Sequence, residues 1–293
     1  MDTDLYIGCG NLPTRFLASH RVSDNVSLFA IPFPNIDPVI VQFGPLAIRW
    51  YALAYIAGLL LGWQLARRIV RRDGWLPDEE QVDDLLFYAT LGVIIGGRMG
   101  FVLFYHPLHF LQNPLQILAV WQGGMSFHGG LIGVIVAILV FARKTRLPAL
   151  ELLDLAAIVT PIGLFFGRLA NFINGELWGR VSDVPWAMVF PTGGPEPRHP
   201  SQLYQATLEG LVLFAIMFML SRRPRRASER GLLGGTFLVG YSIARSIGEL
   251  FRQPDAHLGF LFLGTTMGQL LSLPMLLFGL FLIVRALRRG TAD

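Results

Sequence analysis

The chain runs to 293 residues, of which 53% are hydrophobic and only 15% are charged. A soluble domain carries roughly 25% charged residues, so this chain has too few polar groups to cover a water-facing surface, and a soluble enzyme or a disordered chain is excluded. A lone cysteine, Cys9, excludes an intrachain disulfide and a cysteine-rich metal site, and a net charge of +4 says less than where the charges sit.

Residues 1–45 lack a basic stretch followed by a long apolar core and a small-residue cleavage site, so they read as an external lead-in and not as a signal peptide. Its first thirty residues read as poorly structured, and Pro32, Pro34, Pro38 and Pro45 halt a regular helix before the first apolar run. Seven such runs follow, at roughly 46–66, 83–105, 124–142, 150–173, 202–221, 231–251 and 265–286, each long enough to span a bilayer core. The pattern predicts an all-α polytopic membrane protein with seven transmembrane helices in one domain, 46–290. A small external cap is expected at about 176–200, where Trp186, Phe190 and several prolines would lie at headgroup level.

The 24 cations sort by place. Fifteen fall in four clusters at the ends of apolar runs: Arg67 to Arg72, Arg143 to Arg146, Arg222 to Arg230, and Arg285 to Arg289. Five more (Arg15, Arg21, Arg180, Arg198 and Arg252) lie in the opposite loops and the N-terminal segment. Positive-inside bias therefore puts the clusters and the C-terminus in the cytoplasm and the N-terminus outside.

Four cations remain in or beside the spans: Arg49, Arg98, Arg168 and Arg245. A guanidinium at a span centre costs about 2.5–3.5 kcal/mol on insertion scales, so it requires a partner or a polar cavity. Arg49, beside Trp50 and Tyr51, suits interfacial snorkelling as well as a functional role. Arg98 follows Gly96-Gly97, and a structural ion pair with a buried carboxylate is as good a reading as a site. In Gly167-Arg168-Leu169-Ala170-Asn171-Phe172-Ile173-Asn174-Gly175-Glu176-Leu177-Trp178-Gly179, Asn174-Gly175 is a helix stop and Trp178 an interface anchor. Neither accounts for an arginine two turns inside the helix end; a guanidinium there, with Asn171 on the same face, suits a phosphodiester or carboxylate. Tyr241, Arg245, Glu249 and Arg252 share one helical face, which serves equally to glue helices or to line a cavity. His128, in Gly123-Gly124-Met125-Ser126-Phe127-His128-Gly129-Gly130, is either a packing histidine or a proton-transfer group opened by its glycines.

Together these segments resemble the prolipoprotein diacylglyceryl transferases, from about residue 36 onward. The resemblance rests on Ile36-Asp37-Pro38-Val39, Arg49-Trp50-Tyr51, Gly96-Gly97-Arg98, the Gly124 to Gly130 run and the Gly167 to Gly179 signature. It extends through Arg198-His199-Pro200-Ser201-Gln202-Leu203-Tyr204 and Phe251-Arg252-Gln253-Pro254-Asp255-Ala256. The N-terminus is longer than the family core needs, and Gln205 stands where Glu is expected. The resemblance implies transfer of a diacylglyceryl group from phosphatidylglycerol to the lipobox cysteine thiol of a preprolipoprotein signal peptide, at the bacterial cytoplasmic (inner) membrane. No cofactor, metal or nucleic acid is called for. It implies a phosphatidylglycerol-binding set of Arg168, Asn171, Asn174, Glu176 and Glu249. The catalytic set is His128 as base, Arg245 on the phosphate, and Tyr51 or Tyr241 to orient the lipid or relay a proton. An anion or lipid transporter, or a non-catalytic scaffold, would also bury Arg and His in such a bundle.

Overall fold

The computed structural model describes residues 31–34, 36–44, 46–72, 75–105, 107–224, 226–254 and 259–290; the expectation for the first thirty residues lies outside these. The long helices are α1 (Trp50–Val70), α2 (Glu79–Phe104), α4 (Phe127–Thr145), α5 (Ala149–Ile173), α8 (Leu232–Phe251) and α9 (Met267–Gly290), with a short α3 (Pro107–Gln112) after α2. A further continuous helix is made of α6 (Ser201–Gln205), a π-helical segment (Ala206–Val212) and α7 (Leu213–Ser221). Among the described residues six helices are long and apolar enough to cross a membrane: α1, α2, α4, α5, the α6–α7 helix and α9. The sixth expected run became α8, which is 20 residues long but holds Arg245 and Glu249.

The structure is mostly helical, as expected, with two short strand pairs beside the helices. Strand β2 (Val39–Phe43) pairs antiparallel with β3 (Leu46–Arg49) around Gly44 at φ +57°, a value that favours glycine. The β-branched residues there prefer a strand, so the first helix begins at Trp50 and not at 46. Strand β1 (Ile31–Pro32) pairs in parallel with β4 (Met188–Val189) in the 174–200 loop. Phe33 then packs its ring against Phe172 and Phe190, so the lead-in and the cap form one structure.

Helix ends follow local chemistry. Asp78 and Gln81 form a reciprocal capping box at the start of α2, with Glu79 and Glu80 in its first turn, where the helix dipole favours acidic groups. Glu79 also accepts from Arg67 and Arg71, and Trp63 donates to Asp83 at 2.6 Å, so α1 and α2 are joined at their charged ends. Helix α8 starts after Gly231 at φ +95° without a capping side chain of its own. The fully buried Asp154 of α5 supplies the acceptors, taking the N–H groups of Gly231 at 2.8 Å and Gly234 at 2.7 Å.

Helix α5 is central. On one side Leu155, Ala157 and Ile158 pack with Ala66 and Ile69 of α1 and with Leu213 and Met217 of α7. On the other, Leu152 packs with Leu85 of α2 and Phe141 of α4. The long helices keep apolar residues on their outer faces, among them Leu60, Ile95, Val136 and Phe281. Helices α2 and α4 meet backbone to backbone, since a methyl group added at Gly133 would press into the carbonyl of Gly92.

Arg98 is buried near the end of α2, and the carboxylate partner expected as one reading is not what holds it. Its nitrogens donate to the carbonyls of Gln116, Ile117, Gly123 and Gly124 at 2.5–3.2 Å, and it lies 5.2 Å from the Phe110 ring. Four carbonyl dipoles and an aromatic face replace a counter-ion and fix the 107–126 segment over the end of the bundle.

Gly133→Ala should lower stability by about 1–3 kcal/mol, the scale for overpacking against backbone that cannot yield. Gly163→Ala, where an added methyl group meets nothing within 4 Å, should be close to neutral. Thermal unfolding of both variants in detergent checks the contrast.

Candidate active site

The C-terminal half of α5 carries Arg168, about one and a half turns before its end at Ile173. Its Nε and Nη2 donate to the same oxygen of Glu209, at 3.0 and 2.9 Å. Glu209 is fully buried on the π-helical segment between α6 and α7. A π turn shifts the side chains that follow it and recurs at functional sites. The approach is close: a methyl group at Gly210 would sit 2.7 Å from Phe165 of α5, so glycine there lets the Glu209 backbone reach Arg168.

Arg245 of α8 takes the next place. Its Nη2 lies 2.6 Å from Glu249, and its Nη1 lies 3.7 Å from the other oxygen of Glu209. Arg252 then meets Glu249 at 3.5 Å. The result is an alternating chain, Arg168–Glu209–Arg245–Glu249–Arg252, that stitches α5, the α6–α7 helix and α8 together. Of the helical face expected to carry Tyr241, Arg245, Glu249 and Arg252, the last three are in contact through Glu249. Glu209 was not foreseen, although it is the one charged residue in the apolar run 202–221. An intramembrane carboxylate is itself a functional signal.

Tyr241 stacks on Phe237 at 5.9 Å and lies within the field of Arg168, Glu209, Arg245 and Glu249. Tyr51 pairs its hydroxyl with that of Tyr55 at 3.4 Å, and Tyr55 lies within the field of Arg168 and Glu176, so α1 faces the same region. Asn171 and Asn174 both donate to Glu176, at 2.8 and 3.3 Å. The helix stop forms as expected, with Asn174 at the cap and Gly175 at φ +65°, followed by Leu177 at φ +58°. The two amides thus hold the signature turn in shape through Glu176. His128 is exposed in the first turn of α4, edge-on to Phe127, and makes no hydrogen bond to the arginine chain. Arg49 is exposed at the end of β3.

Several buried polar atoms here have no hydrogen-bond partner among the described residues: Nη1 of Arg245, Oε1 of Glu209 and both ends of the Gln205 amide. Such atoms are rare in a settled interior and mark a place where water or a ligand belongs.

The cap closes this end of the bundle. Gln202 donates to the Glu176 carbonyl at 2.6 Å and Ser201 to that of Leu177 at 2.9 Å. Arg180 donates to the carbonyls of Glu249 and Arg252, each at 3.1 Å. Trp178 lies under the Arg198 guanidinium at 4.2 Å and donates to Thr192. Trp186 and His199 both meet the Tyr204 hydroxyl, at 2.6 and 3.1 Å, and burial lowers the His199 pKa.

The same residues decide kinship. The family model described as prolipoprotein diacylglyceryl transferase matches residues 38–285, which include every member of the arginine chain. The chain belongs to the prolipoprotein diacylglyceryl transferase family. Among its relatives, proteins named phosphatidylglycerol–prolipoprotein diacylglyceryl transferase from Paramagnetospirillum magneticum and Rhodospirillum rubrum are 59% and 60% identical to it. Each is aligned over 89% of this chain, covering 98% and 96% of the relative. One of the same name from Allorhizobium ampelinum is 56% identical over 91% of this chain and 96% of its own.

Replacing Glu209 by Gln leaves two buried guanidinium groups without their shared carboxylate, and a loss of about 3–5 kcal/mol is expected, the scale for breaking a buried pair. The double variant Arg168→Met with Glu209→Leu should recover part of it, because no charge is then stranded at that step. Thermal unfolding in detergent distinguishes the two.

Proposed function

We propose that this chain is a seven-span enzyme of the bacterial cytoplasmic membrane, with α8 as the remaining span, its N-terminus and cap outside and its four basic clusters inside. It transfers the diacylglyceryl group of phosphatidylglycerol to the lipobox cysteine of a preprolipoprotein, the first step of lipoprotein maturation. Family membership and the names of its relatives support the reaction. Helix lengths and the distribution of cations support the topology.

The observation that carries the mechanism is a pair of guanidinium groups, Arg168 and Arg245, each fixed on one edge by a carboxylate. In both, Nη1 makes no hydrogen bond among the described residues. Phosphatidylglycerol carries one phosphodiester charge. When the cysteine sulfur forms its bond to the glyceryl carbon, the carbon–oxygen bond to phosphate breaks and glycerol phosphate leaves with the electron pair. Negative charge therefore grows on the phosphate. Donors already aimed at it stabilise that state more than the bound lipid and need no reorganisation. Direct displacement suffices, because the attacking thiol belongs to the substrate.

The thiol must lose its proton before or during attack. His128 is the base in this reading: it is exposed, on a glycine-flanked helix start, and free to meet a peptide arriving from the bilayer. Tyr51 and Tyr241 orient the lipid, and Asn171, Asn174 and Glu176 keep the wall that carries Arg168 in place.

Transfer from phosphatidylglycerol to a synthetic lipobox peptide, followed by mass spectrometry in detergent, tests the clamp. Arg168→Lys should lose at least about 100-fold, since a point-charge ammonium cannot serve both Glu209 and the phosphate; a loss of only a few-fold would remove Arg168 from the phosphate. His128→Gln should keep lipid binding while slowing transfer, with the deficit shrinking toward alkaline pH as the substrate thiol, of ordinary pKa about 8.5, ionises unaided. Wild-type rates in that variant at neutral pH would reassign the base.

A further inference from the structure

At the opposite end of the bundle lies a second polar cavity, which the reaction above does not use. We propose that it is a binding site for a phosphate ester. It has a volume of about 280 Å³ and is formed where the start of α5, the 227–230 turn and the last turns of α9 meet. Leu150 on its wall is 18 residues from Arg168 along α5, about 27 Å at 1.5 Å per residue. It is therefore separate from the arginine chain.

Three guanidinium groups line it: Arg230, Arg285 and Arg289. Arg230 is spoken for, donating to the buried Glu151 at 2.8 Å. Arg285 and Arg289 have no carboxylate within ion-pair distance among the described residues, and they stand one turn apart on α9. Like charges at that spacing repel weakly, and a shared anion would relieve that repulsion. The start of α5, a helix of 25 residues, has no side-chain acceptor at its cap, Pro148, and the carboxylate in its first turn, Glu151, is taken by Arg230. Finally, Oγ of Ser228, on the cavity wall, is buried and has no hydrogen-bond partner among the described residues.

A purely solvated cationic face explains the arginines but not a buried hydroxyl with nothing to bond. An anion with several oxygens satisfies all these groups at once: two guanidinium donors, a helix start and a hydroxyl. Phosphate has that oxygen count, and arginine forks match its geometry. The source is either the headgroup of an acidic lipid in the leaflet at that end or a free phosphate, which share this chemistry.

The full-length protein in detergent decides it. Native mass spectrometry and thermal unfolding would be run on wild type, on Arg285→Gln with Arg289→Gln, and on Ser228→Ala, each with phosphatidylglycerol, diacylglycerol or millimolar inorganic phosphate. Wild type should retain one more phosphatidylglycerol than the double variant, or be stabilised by phosphate with an apparent affinity at least about tenfold tighter. Ser228→Ala should show a smaller loss of the same kind without loss of fold. Retention of lipid alone identifies the headgroup as the source, and stabilisation by inorganic phosphate identifies the free anion. Lipid counts and phosphate responses equal in all three proteins, or retention of diacylglycerol as strong as that of phosphatidylglycerol, would overturn the site. Transfer to the lipobox peptide should be unchanged in both variants, because no residue of the clamp is touched.

Discussion

Charge buried in an apolar bundle must be balanced where it lies, and the chain from Arg168 through Glu209, Arg245 and Glu249 to Arg252 is that balance. Each ion in such a setting costs several kcal/mol to desolvate, and only close opposite charges recover it. The balance cannot be kept within one helix. Arg168 comes from α5, Glu209 from the π-helical segment, and Arg245 and Glu249 from α8, so the ionic requirement fixes the relative positions of three long helices. Much of the rest of this end follows from it. Gly210 lets the α6–α7 helix come close enough, and the cap is anchored on the carbonyls of Glu249 and Arg252 through Arg180.

Arg98 meets the same constraint with different means. It is more buried than the arginines of the chain, yet carbonyls and aromatic rings surround it. Every dipole aimed at it belongs to the 107–126 segment, so its charge is spent on holding backbone. Arg168 and Arg245 are instead held by carboxylates on one edge and leave donors over. Burial is common to all three; the nature of the partner separates a structural arginine from one able to receive an anion.

The positions of the long helices were legible in the sequence because a span must be apolar over a fixed length, and that requirement leaves a plain mark. The break at Trp50 was not, because a strand of Leu46 to Arg49 is as apolar as a helix start and only pairing with Val39 to Phe43 decides between them. In the site, the face shared by Arg245, Glu249 and Arg252 could be read from helical spacing alone. The partnership of Arg168 with Glu209 spans 41 residues and two helices, which no local periodicity encodes. Asn171 and Asn174 were read as ligand donors because amides beside an arginine suit a phosphate; the turn at Gly175 brings Glu176 back to them first.

This arrangement also bears on how an arginine clamp can favour a transition state. A free guanidinium would bind any anion, and tight binding of the lipid itself would not speed its reaction. In the proposed clamp, the carboxylates beside Arg168 and Arg245 would lower the field that a bound phosphodiester feels while they hold the guanidinium planes still. The fixed donors then gain most when the phosphate oxygens acquire further charge, because no reorientation is needed at that moment. Nη1 of Arg245 and Oε1 of Glu209 stand 3.7 Å apart, within ion-pair reach but beyond a hydrogen bond. A network with one slack link is tight enough to carry its charges in a membrane and loose enough to accept one more.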